Sequence, residues 1–135
     1  MHWVNMKKMN ISVTAKAVYL PDQSSAEEHR FLWSYEITIL NQSDQIVQLL
    51  NRCWRITDVS GHIEEVQGPG VIGLQPLIKV GKSFSYASFC QLLTPQGSME
   101  GSYEMQTLDE ERFTVQIPKF ILISPMSAGA RTLLH

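Results

Sequence analysis

Apolar residues recur at every second position along most of this chain, and that rhythm constrains its fold more than anything else in the sequence. In a strand, successive side chains point to opposite faces, so a period of two gives one face that packs and one that meets water. Ile11, Val13, Ala15, Ala17 and Tyr19 form the first such row. Phe31, Trp33, Tyr35, Ile37 and Ile39 form the clearest one. Ile46, Leu50, Trp54 and Ile56 are expected to share a face of a long strand over 46–59, with Gln48 and Arg52 between them. A hairpin over 55–67 follows, turning at Ser60-Gly61-His62 and returning through 63–67. Phe84 to Leu92 and Met99 to Met105 alternate again. The last strand starts at Phe113, and its phase slips at Pro118, which marks an edge strand or a bulge. Pro21 to Glu28, Asn41 to Asp44, Lys79 to Lys82, Thr94 to Gly97 and Leu108 to Glu111 read as turns and loops. No segment sustains a 3.6-residue apolar period. The expectation is an all-β chain: an antiparallel β-sandwich of seven to eight strands, immunoglobulin-like or fibronectin type III-like. Cys53 and Trp54 are adjacent, so the widely spaced Cys-Trp-Cys pattern of antibody domains is missing and the fibronectin type fits better.

A chain of 135 residues is expected to make a single domain, residues 1–135, with its core over about 11–125 and both ends peripheral. Lys plus Arg number 11 and Asp plus Glu 13, a net charge of -2, which lacks the basic excess a nucleic-acid surface needs. No run of 18 apolar residues suggests a membrane span, and no secretory signal is evident, so a cytoplasmic protein with reduced thiols is expected. Cys53 and Cys90 form no C-x-x-C pair and both are expected as buried, inert thiols. His2, His29, His62 and His135 are scattered, without metal-ligand spacing. Glu100 and Glu104 share a strand face as two glycosidase carboxylates could, but a solvated outer face explains them better. Neither Ser88 nor Ser102 sits in G-x-S-x-G. No enzyme and no cofactor are therefore expected.

Arg52 stands on a mostly apolar face. Buried, it would need a partner, with Glu36, Glu64, Glu65, Glu100 and Glu104 as candidates; at the sheet rim its head would reach water.

The six residues Gly68-Pro69-Gly70-Val71-Ile72-Gly73 spell G-x-G-x-x-G, the spacing of dinucleotide-binding loops. That fingerprint works by placing pyrophosphate on the N-terminus of a helix that starts at the glycines. Here Leu74-Gln75-Pro76 and then Gly81 follow, which is a poor helix start, and strands flank both sides. Three readings remain. The loop is a structural connection, a partner-facing surface, or a backbone nest for an anion with Lys79 and Lys82 nearby. The partner-facing residues would be Gly68, Pro69, Gly70, Val71, Ile72, Gly73, Gln75 and Pro76.

Three longer stretches carry a family resemblance: VQLLNRCWRITD, EVQGPGVIGLQPLIKVGKSFSYASF and TPQGSMEGSYEM. In this order they resemble the bacterial ApaG proteins, over about residues 11–125. The chain departs at Cys53, where the family pattern has an aromatic residue such as Tyr. The resemblance implies a fibronectin-type or immunoglobulin-like sandwich of seven to eight strands, with the glycine loop as a signature outside any Rossmann fold. It links the chain loosely to cobalt resistance and magnesium efflux, and through gene neighbourhood to dinucleoside polyphosphate metabolism. Related domains in eukaryotic F-box proteins and in a DNA polymerase delta-interacting protein imply a partner-binding role. No catalytic residue is established for that family, so none carries over. The expected function is a non-enzymatic interaction module for an unidentified protein partner, with no nucleic acid and no membrane involved. The alternative is a small-ligand module for pyrophosphate, a nucleotide polyphosphate or a divalent metal. A hydrolase stands third, because no catalytic cluster is visible.

Overall fold

The structure is a computed structural model that describes residues 9–125. Eight strands form two antiparallel sheets, as the alternation predicts: β1 (Ile11–Tyr19), β2 (Phe31–Asn41), β3 (Val47–Asp58), β4 (Ile63–Pro69), β5 (Leu77–Ile78), β6 (Ser83–Leu92), β7 (Gln96–Thr107) and β8 (Arg112–Ile123). One sheet runs β1-β2-β6; the other runs β4-β3-β7-β8, with β5 added to β3. A short 3-10 turn at Pro21–Gln23 leads out of β1. The tail reading for 124–135 falls mostly outside the described residues, as do His2 and His135.

The apolar faces meet where period two puts them. Trp33, Ile37 and Ile39 of β2 face Leu49, Tyr103, Met105 and Leu122 of the other sheet, all nearly or fully buried. Each such large side chain contributes roughly 1.5–3 kcal/mol by leaving water. Tyr35 and Trp54 come from opposite sheets and meet edge to face, ring centroids 5.5 Å apart, with Phe120 packed on both. Polar bonds also cross the core. The Trp33 indole N–H donates to the Ile123 carbonyl at 3.1 Å, and the hydroxyls of Tyr86 and Tyr103 bond at 2.6 Å.

Two register slips shape the five-stranded sheet. Between β7 and β8 the shift opposes Glu100 with Pro118 and Lys119, the irregularity expected at that proline, and β8 is an edge strand. The other slip corrects the sequence reading. Between β3 and β7 the pairing steps from Leu49↔Met105 to Asn51↔Glu104, leaving Leu50 as the extra residue. The inner face of β3 is therefore Val47 and Leu49, then Arg52, Trp54 and Ile56; Leu50 does not share it. A bulge inserts one residue and flips the phase downstream, which an alternation count cannot detect when Leu49 and Leu50 are both apolar. Strand β4 also runs two residues beyond the expected 63–67, to Pro69, and the two-residue β5 was not foreseen. The expected turn 94–97 gives up its last two residues to β7.

One side of the sandwich is closed by contact of β1 with β8. On the other side the edge strands β6 and β4 flank a cleft of about 520 Å³.

Burial raises the pKa of both bridging tyrosines, Tyr86 and Tyr103, above the ordinary phenol value. A proton that is harder to remove folded than unfolded stabilises the fold fully below pH of about 10, the unfolded tyrosine value, and progressively less as pH rises past it. Tyr103→Phe strands the Tyr86 hydroxyl in the core and is expected to cost about 1–3 kcal/mol in urea melts. The double change Tyr86→Phe with Tyr103→Phe is expected to cost less than the sum of the two singles, and to flatten the loss of stability above pH 10.

Candidate functional site

The glycine loop is a tight hairpin with no helix after it. Val71 and Leu74 exchange both backbone bonds, each 2.8 Å, around a two-residue tip of Ile72 and Gly73. Both tip residues have positive φ, 44° and 78°, the pattern of a type I′ turn. Gly70 is left-handed as well, and any side chain there would strike the Leu74 carbonyl.

The bulge in β3 anchors this hairpin. A bulged residue leaves backbone groups outside the ladder that must find partners. The Leu50 carbonyl accepts from the Gly70 amide at 2.7 Å and from the Gln75 side-chain amide at 2.9 Å. The Leu49 amide donates to the Pro76 carbonyl at 3.0 Å, and Gln48 donates to the Gln75 carbonyl at 3.0 Å.

Arg52 completes the anchor. Its guanidinium donates to the carbonyls of Pro69 and Gly70, both at 3.1 Å. None of the five carboxylates named as candidate partners pairs with it; its charge caps two peptide oxygens instead. Gly68, the register partner of Arg52, explains why a glycine opens the motif: a Cβ there would lie 3.0 Å from the guanidinium.

Of the predicted site residues, most thus have an inward role. Gly68 makes room for Arg52, Pro69 and Gly70 supply carbonyls, Gln75 and Pro76 tie to β3, Gly73 permits the turn, and Val71 is 1% exposed in the core. Val71 therefore does not face a partner, contrary to expectation. Two apolar side chains remain outside, Ile72 at 57% and Leu74 at 50% exposed. Leu74 is outside the expected set, although it stands 50% exposed in the same hairpin. The amides of Gly70 and Val71 already bond to Leu50 and Leu74.

On the outer face of the same sheet lies a shallow hollow of about 470 Å³ lined by Asn51, Cys53, Gln67, Ser102, Glu104 and Thr114, together with Arg52 and with Gly68 and Pro69 of the predicted site. Sequence reasoning missed it, because it assembles from four strands. Cys53 is half-buried here rather than a core thiol, so its departure from an aromatic falls on a solvent face and leaves the core packing untouched. Glu104 accepts from Asn51 and pairs with Arg112 at 3.4 Å, which makes it a surface carboxylate with structural partners. Cys90 is buried, and burial together with the Glu64 carboxylate pushes its thiol up to about 12, so it is unreactive near neutrality. Among the described residues, no three of His, Cys, Asp and Glu come together as metal ligands would.

Arg52 and Gly68 should behave as one unit. Arg52→Ala is expected to cost about 1–2 kcal/mol, and Gly68→Ala about 1 kcal/mol by displacing the guanidinium. In the Arg52→Ala background, Gly68→Ala should be close to neutral, as a double-mutant cycle in urea would measure.

The family model described as ApaG domain matches residues 21–107. Protein ApaG of Allorhizobium ampelinum strain S4 is 51% identical over 116 residues, covering 86% of this chain and 89% of that protein. Protein ApaG of Parvibaculum lavamentivorans is 44% identical over 126 residues, covering 93% and 95%. Among solved structures, one described as an ApaA protein from Bordetella pertussis superposes with a TM-score of 0.85 at 35% identity, over 88% of this chain and 97% of that one. An X-ray structure of a structural-genomics target gives 0.81 at 42%, over 85% and 87%. The chain belongs to the ApaG domain family.

Proposed function

We propose that this protein is a non-enzymatic interaction module that recognises a protein partner through the tip of its glycine hairpin. The observation that carries the reading is Ile72. A β-branched residue with φ near 44° is conformationally disfavoured, and such strain costs on the order of 1–3 kcal/mol. A turn selected only for folding would hold Gly or Asn there, since both accept positive φ. Instead the position holds a large apolar side chain turned into water, with Leu74 beside it in the same hairpin.

Rigidity supports the same reading. The hairpin is tied to β3 by backbone and side-chain bonds and pinned by buried Val71, so Ile72 and Leu74 are presented in a fixed geometry. A partner that binds them pays little ordering entropy on this side. Cytoplasmic residence and the link to cobalt and magnesium handling belong to this proposal as the setting that family resemblance suggests; the hairpin chemistry itself points to an apolar protein surface.

The probes must spare Val71, whose replacement by a charge would unfold the core. Ile72→Asn is expected to raise stability by up to about 1 kcal/mol by relieving strain. As bait in lysate capture with quantitative mass spectrometry, Ile72→Asn with Leu74→Ser should lose the partners that wild type retains. Identical partner sets from two equally folded baits would refute the hairpin as the binding surface.

A further inference from the structure

The four outer strands are protected very differently. A bare sheet edge presents unpaired N–H and C=O groups to any other strand, and proteins blunt it with charge, proline or a bulge. Strand β8 carries Arg112, Lys119 and the irregularity at Pro118, and it contacts β1, which bears Lys16. Strand β4 carries Glu64, Glu65 and Pro69. Strand β6 has none of these. Its sequence, SFSYASFCQL, holds no charge and no proline, and it pairs with β2 from Leu92 to Ser83 without a register shift. Among the described residues, no strand pairs with its other side. On its outer face Phe89 is 65% exposed, and Leu93 just beyond the strand is 59% exposed.

Charge is distributed unequally along this edge. The turn entering β6 carries Lys79 and Lys82. At its far end, Gln91, Leu92 and Leu93 line the cleft with Asp58, Glu64 and Glu65. Thr94 reaches the same place, its hydroxyl accepting from the Val59 amide. Among the described residues, neither lysine and none of these three carboxylates is in an ion pair.

We propose that β6 pairs antiparallel with β6 of a second copy of this chain, joining two three-stranded sheets into one of six strands across a twofold axis. Antiparallel self-pairing sets each basic entry turn beside the acidic cleft of the other copy, twice by symmetry. Every second residue of β6 turns its backbone groups to the free edge, and the pairing must match these residues with one another. Placing Ser88 opposite the partner's Ser88 meets that condition. It sets Ala87 against the partner's Phe89, Ser83 against the partner's Leu93, and Lys82 against the partner's Thr94. On the outer face large side chains then oppose small ones, both exposed apolar groups are covered, and no like charges oppose each other along the ladder.

Sedimentation velocity of the full chain over a concentration series tests this. Wild type should shift from monomer to dimer, and amide exchange along β6 should slow with it. Phe89→Lys, at an exposed position, should hold the protein monomeric with its thermal melt unchanged. Lys79→Glu with Lys82→Glu should weaken the dimer at least about fivefold, through two lost surface ion-pair clusters. Adding Glu64→Lys and Glu65→Lys to that chain should restore it. A wild type that stays monomeric with concentration-independent β6 exchange overturns the proposal. So does a dimer indifferent to Phe89→Lys, or a folded charge-reversed variant that fails to recover, because each removes the antiparallel alignment. This assay uses purified protein alone, so it stands or falls separately from the hairpin's partner.

Discussion

The apolar seam between the two sheets is the constraint on which the rest of the molecule depends. Each strand has one face to offer it, so any slip in phase must fall where the chain can absorb an extra residue. Trp33, Ile37, Ile39, Leu49, Tyr103 and Met105 set the seam's position. The Tyr86–Tyr103 and Trp33–Ile123 bonds cross it and allow little sliding of one layer over the other, because each partner would otherwise be stranded in a dry interior.

The glycine hairpin grows out of one such slip. Leu50 sits where β3 changes phase, and its carbonyl turns to the glycine hairpin instead of the ladder. Downstream of the slip, Arg52 is placed on the inner side, beside Gly68, and caps the carbonyls of the loop. A motif that looks like a phosphate cradle is thus built around a side-chain cation and oriented carbonyls. The chemistry is opposite to that of a pyrophosphate site, where amides point at an anion.

Much of this was legible in the sequence. Strands β1, β2, β6 and β7 announce themselves by alternation, and the slip at Pro118 betrays an irregular β8. The glycine spacing could be separated from a Rossmann loop because Pro76 and the flanking strands leave no room for a helix. What stayed hidden has a physical reason. The Leu50 bulge is invisible because two leucines stand side by side, so either phase looks apolar. The acceptors of Arg52 are hidden, since charge is readable in a sequence while a pair of peptide carbonyls is not. Val71 and Ile72 read alike as neighbouring aliphatics, and only the backbone sends one into the core and the other into solvent. The outer hollow around Cys53 draws on four strands distant in sequence, so no local pattern could show it.

The division of labour within the hairpin has an evolutionary consequence. Nearly every residue from Gly68 to Pro76 is committed to holding the backbone, and each is tied to a counterpart in β3 or the core. The side chains of Ile72 and Leu74 instead stand out in solvent. A lineage could exchange these two side chains, and so change the chemistry of the exposed tip, while the scaffold beneath them drifts hardly at all.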